Sequence, residues 1–257
     1  MAGRKKGRCI LRWNGYRIRK AACYSLLLTA AVYILLANQI SSWYRRGVGY
    51  CMLDCLHAME VPWVFGLFYL PLTLWIAAGR KRIYRQPQFV VLYGNTDCIW
   101  KEWYLSGIRT AFLCGGLYSS IVCLLSAMVS VSVNNWGQKG SLFYVLNGTV
   151  YQGESSTVML SFFLGNILKT ALVIYGIGLL EECTHEMVYS YLVLAALIVW
   201  EWVFPEQKLF FNLFSISHRN CRTPERMMVS LLVGIAVTIA VFWIGKALWR
   251  KKEFYEA

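Results

Sequence analysis

Residues 158–180 read VMLSFFLGNILKTALVIYGIGLL. The run exceeds the roughly 20 apolar residues that a helix needs to cross a hydrocarbon core of ~30 Å. One charge, Lys169, interrupts it. Such a run reads as a membrane-spanning helix. Working outward, comparable stretches lie at approximately 21–40, 59–78, 108–133, 187–204 and 227–248. The chain as a whole is 58% apolar and 15% charged, with a mean hydropathy of +0.46. An ordinary soluble domain carries about 25% charged residues. The expected fold is an all-α polytopic membrane protein with six transmembrane helices, forming a single transmembrane domain over residues 1–257.

The formal charge is +13, from 26 basic and 13 acidic residues. The basic residues gather at the ends of the apolar stretches, which points to a membrane surface and membrane lipids as partners, not to nucleic acid. Residues 1–20 hold Arg4, Lys5, Lys6, Arg8, Arg12, Arg17, Arg19 and Lys20 with no acid, and read as a basic, amphipathic, cytoplasmic segment. A signal peptide competes with this reading, but the apolar core that follows is long and no small-residue cleavage site closes it, so a retained span is expected. With both termini cytoplasmic, 18 Lys and Arg fall inside and 7 outside, the remaining one being Lys169. That asymmetry sets the expected orientation. Residues 134–157 form an outer loop rich in Asn and Gly.

Catalytic chemistry is poorly represented. There is no GxxxxGK[ST] and no GxGxxG, so ATP hydrolysis would need another chain. Glu181-Glu182-Cys183-Thr184-His185-Glu186 is not HExxH. His57 and His218 are expected on the opposite face from His185, which cannot readily build one zinc site. Neither a metal nor a cofactor is expected in this chain. Cys51, Cys55 and Cys221 are expected near the outer side, where a disulfide among them and free buried thiols are both open readings.

Two stretches exceed what six plain spans require. Between spans two and three, Arg80–Tyr104 contains Phe89, Val90, Val91, Leu92, Ile99, Trp100, Trp103 and Tyr104, spaced for an amphipathic helix that Gly94-Asn95 would break. Between spans five and six, Leu209-Phe210-Phe211-Asn212-Leu213-Phe214 is too apolar for a simple loop and suits a short re-entrant element shielded by protein. This layout resembles the permease subunit of ABC-2 type exporters, in the small bacterial form. The resemblance implies a connecting helix at residues 9–20, a coupling segment within residues 90–108 and an outer helical hairpin within residues 205–222. It further implies ATPase contacts at Tyr93, Gly94, Asp97, Trp100 and Trp103. The implied partners are a separate ABC ATPase subunit, which would hold ATP and Mg, and a second permease chain. The implied location is the bacterial cytoplasmic membrane.

Within the apolar stretches, Lys169 and Asn166 share one helix face. A lysine in lipid must pair or snorkel. A polar stripe lining a permeation path and a tether to a carboxylate on another helix are both open. Glu60 and Glu201 lie toward segment ends, where snorkelling serves. The leading expectation for function is half of an ATP-driven exporter pore. The alternative is a non-catalytic membrane scaffold or accessory subunit. A secondary transporter is disfavoured, because no internal repeat is visible.

Overall fold

Helices account for almost all the regular structure in the computed structural model, which describes residues 3–84, 96–151, 153–184, 186–204, 206–207, 210–215, 221 and 223–250. In chain order they are α1 (Gly3–Arg45), α2 (Met52–Met59), α3 (Pro62–Val64), a π-helical turn (Phe65–Tyr69), α4 (Leu70–Tyr84), α5 (Thr96–Val129), α6 (Leu142–Asn147), α7 (Ser155–Thr184), α8 (Met187–Val203), α9 (Phe211–Phe214) and α10 (Pro224–Arg250). Among the described residues there is no β-strand, only a lone bridge between Gly49 and Ser141. The chain is an all-α, multi-pass membrane protein by the length and apolarity of its helices.

Among the described residues, four stretches are long and apolar enough to cross a membrane: Ala21–Arg45, Asp97–Val129, Ser155–Thr184 and Glu225–Trp249. A fifth crossing exists if the pair Met52–Met59 and Pro62–Ala77, bent by 60°, is one span. The apolar helix Val188–Val203 reaches roughly 24 Å at 1.5 Å per residue, short of a ~30 Å core. Helices therefore overlie all six expected stretches, but the second is broken and the fifth is short. Outward faces are rich in large apolar side chains, including Leu26, Ile34, Leu113 and Ile239, as a lipid-facing surface requires.

The structure corrects three boundaries. First, α1 is continuous for 43 residues, so residues 9–20 extend the first span with no separate connecting helix. Second, the expected coupling helix is the beginning of α5, which runs 34 residues without a break. No proline interrupts the join, and Gly107 is tolerated because it receives the ring of Tyr175. Third, the second span begins earlier than residue 59. Residues 41–55, between the first and second expected stretches, include the end of α1 and the start of α2. Gly47, with φ at +63°, makes the turn after α1. α2 then packs against α1, α5 and α7, with seven of its eight residues buried.

The break after α2 has a local cause. Glu60 ends α2, and Pro62 begins α3 at a position whose N–H would have no helical partner. The π-helical turn follows, and its widened backbone leads into Pro71, which removes the next donor. Irregular backbone at membrane depth survives only when covered by protein, and Val64, Phe65, Tyr69 and Leu70 are all buried.

The loop between α5 and α7 is structured rather than merely turn-rich. Ser141 caps α6 by accepting from the Tyr144 N–H, and Gly148, with φ at +67°, ends it. Trp136, Phe143 and Tyr151 form a buried aromatic cluster above α2. The Trp136 Nε1–H donates to Asp54 at 2.8 Å, and the other carboxylate oxygen accepts from the Cys51 N–H at 2.9 Å.

Candidate functional site

The broken second element brings Glu60 against the middle of α7. Lys169 Nζ lies 3.2 Å from Glu60 Oε1, and neither side chain has measurable solvent exposure. The ammonium also sits 4.4 Å from the centroid of the Phe65 ring, which belongs to the π-helical turn. Taking two charges out of water costs several kcal/mol per ion, so both groups need close partners. The ring face supplies a further cation–π attraction. Glu201 on α8 is likewise fully buried and lies within electrostatic reach of Lys169. Its carboxylate accepts the backbone N–H groups of Phe210, Phe211 and Asn212. One lysine thus pairs with one buried carboxylate and feels the charge of a second, contributed by a different element.

Neutral polar groups extend this core. Asn166 Nδ2 donates to Ser119 Oγ on α5 at 3.1 Å, and Thr170 Oγ1 donates to the Asn166 carbonyl. Thr170 and Tyr69 share a hydrogen bond of 2.8 Å, and Tyr24 and Thr73 one of 3.3 Å. The Tyr118 hydroxyl donates to the Met59 carbonyl at 2.6 Å, at the broken helix end. Asn166 Oδ1 has no hydrogen-bond partner among the described residues. Small residues make this convergence possible. A Cβ at Gly115 would lie 3.0 Å from the Ile167 backbone, so α5 and α7 nearly touch beside Asn166.

A second, quite different cluster closes the opposite end of α5 and α7. Trp100 and Trp103, expected on a docking surface, are turned into the bundle with exposures of 1% and 7%. They join Tyr104, Tyr175 and Trp249 in a nearly continuous aromatic stack. The rings of Tyr104 and Tyr175 lie 4.4 Å apart and almost parallel. Trp100 Nε1–H donates to the Phe242 carbonyl, and the Tyr104 hydroxyl to the Thr238 carbonyl, both on α10. The Tyr175 hydroxyl donates to the Tyr104 carbonyl at 2.6 Å. Glycines form the sockets. Gly245 receives the Trp100 ring and Gly178 the Trp103 ring, each so closely that a methyl group would collide.

Asn166 and Lys169 therefore fall together in one buried core with Glu60. Asp97, Trp100 and Trp103 fall together at the far end of α5, where Asp97 pairs with Lys246 at 3.6 Å. Tyr93 and Gly94 lie outside the described residues. Lys169 meets the expectation of a partner on another element. The burial of Glu60 and Glu201 replaces the expected snorkelling, because the bend after α2 and the fold-back of α9 carry both carboxylates inside. The signal for Glu60 was present in Met59-Glu60-Val61-Pro62, an acid immediately before a helix-restarting proline.

Cys51, Cys55 and Cys221 are buried and free. Burial pushes the Cys51 thiol up to about 12, with Asp54 adding to the effect. Burial and the charge of Glu60 hold the Cys221 thiol well above its ordinary range. Among the described residues no group of His, Cys, Asp and Glu could hold a metal ion. Comparison with protein-family models, with curated proteins and with solved structures finds no match to this chain.

Proposed function

We propose that this chain is the permease subunit of an ATP-driven exporter of the ABC-2 type, crossing the bacterial cytoplasmic membrane six times with both termini inside. It works as one of two permease chains and lines half of the translocation path. A separate ATPase supplies the energy. The broken second element and the short α8 count as crossings in this reading.

The observation that carries the reading is the continuity of α5. From Thr96 to Ser119 it spans about 35 Å at 1.5 Å per residue. One end follows the segment that resembles a coupling element, and the other holds Asn166 beside the Lys169–Glu60 pair. An unbroken helix clamped by an aromatic stack moves as a rod. Displacement of its inner end by a closing ATPase pair then reaches the polar core directly. The core responds because a buried charge pair tolerates little change in geometry. Exposed Cys98 and Lys101 near the start of α5 offer the ATPase its surface.

The test is affinity purification of the tagged full-length chain from its native membrane in mild detergent, followed by mass spectrometry and an ATP hydrolysis assay. A separate ATPase should co-purify, and the exposed substitution Lys101→Glu together with Tyr93→Ala should weaken its retention. A stable preparation with other partners and no ATPase would overturn the reading in favour of a scaffold.

A further inference from the structure

A cavity of about 280 Å³ opens beside the break in the second apolar element. Its walls come from the end of α1, the α2–α3 junction and α6. Asn38, Gln39, Arg46 and His57 supply its polar lining, and the remaining lining is apolar or aromatic, without a carboxylate. Arg46 is exposed, and among the described residues no acid pairs with its guanidinium. The chemistry suits an amphiphile: cationic and hydrogen-bonding groups beside greasy ones.

We propose that this cavity binds the phosphate headgroup and upper chain of one anionic phospholipid. Three observations favour that occupant. The polar lining carries fixed positive charge and amide donors, which match a phosphodiester. Arg46 directly follows the apolar stretch Ala21–Arg45, so it stands at the membrane–water boundary, where lipid phosphates lie. Trp43 and Trp63 line the cavity, and their amphipathic rings suit that same depth. The volume sits near the lower end of ordinary ligand pockets, enough for a headgroup and the first chain carbons. Ala58, Met59 and Val61 line the cavity around Glu60, so the bound lipid packs against the break that carries the buried carboxylate. The inference does not depend on an ATPase partner.

Native mass spectrometry of the purified full-length chain in mild detergent tests it, with phosphatidylglycerol, phosphatidylcholine and inorganic phosphate as probes. Phosphatidylglycerol should be retained one per chain, about fivefold more than phosphatidylcholine, as expected for one basic residue near the surface. Arg46→Gln should remove that preference, and Leu146→Trp, at an exposed lining position, should block retention of either lipid. Arg45→Gln, beside the cavity but not lining it, should leave binding unchanged. Equal retention of the two lipids, or unchanged binding in both Arg46→Gln and Leu146→Trp, would overturn the proposal. Displacement of the lipid by millimolar inorganic phosphate would also overturn it, marking a soluble-anion site instead.

Discussion

The same two helices, α5 and α7, are joined twice by opposite kinds of chemistry. Near their middle the join is made of charge and amides: Lys169 with Glu60, and Asn166 with Ser119. At the far end it is made of rings set in glycine sockets: Trp100, Trp103, Tyr104 and Tyr175 with Trp249. The aromatic end gains dispersion and apolar burial, and its hydrogen bonds are neutral. The polar end gains little net stability, because desolvation offsets the attraction between its charges. A feature that contributes little stability yet demands exact partners is the more natural place for function. The aromatic end is where a protein anchors a rod.

Thiol chemistry offers the largest contrast between the two regions. Cys221 feels the charge of Glu60 at the polar end, and Cys98 is exposed near the aromatic end. At pH 8 maleimide should label Cys98 while Cys51 and Cys221 stay silent. Raising Cys51 from 9.0 to about 12 lowers its thiolate fraction roughly a thousandfold at that pH. Its labelling should rise only as pH climbs toward that value or as the protein unfolds. Mass spectrometry of labelled peptides reads the difference.

Next in size, Lys169→Met leaves Glu60 buried and uncompensated and should cost about 3–5 kcal/mol, whereas Glu60→Leu with Lys169→Met should recover most of the loss. Unfolding of the detergent-solubilised protein measures both, and equal damage in the single and double variants would break the contrast drawn above. At the aromatic end, Gly245→Ala drives a methyl group into the Trp100 ring and should cost about 1–3 kcal/mol. Tyr104→Phe removes one neutral hydrogen bond to Thr238 and should cost about 0.5–1.5 kcal/mol in the same assay.

The apolar segments were legible because length and hydropathy leave few alternatives for runs such as residues 158–180. Lys169 and Asn166 were legible for the same reason, since polar groups stand out against lipid. What the sequence hid was direction. The aromatic periodicity of Ile99, Trp100, Trp103 and Tyr104 fits an interfacial helix and a packed inner end equally well, and only the facing Gly178 and Gly245 decide between them. Those glycines sit about 75 and 145 residues away in sequence, and a glycine alone does not announce the ring it receives. Gly178 tightens the packing of its helix by admitting the Trp103 ring. Glu60 and Glu201 were misplaced because distance from a segment end stood in for depth, while the bend at Pro62 and the return of α9 carry both inward.

The double variant Glu60→Leu with Lys169→Met decides whether the polar core acts or merely holds. It keeps the bundle folded while removing the charges, so structure and function separate. The measurement is ATP hydrolysis by the proposed permease–ATPase complex purified with this variant against that with the unaltered chain. An ATPase retained in normal amount with hydrolysis at least about tenfold lower, a loss of roughly 1.4 kcal/mol in coupling, is the expected result. Unchanged hydrolysis in the intact complex would contradict the account and leave Lys169 and Glu60 as a structural tether.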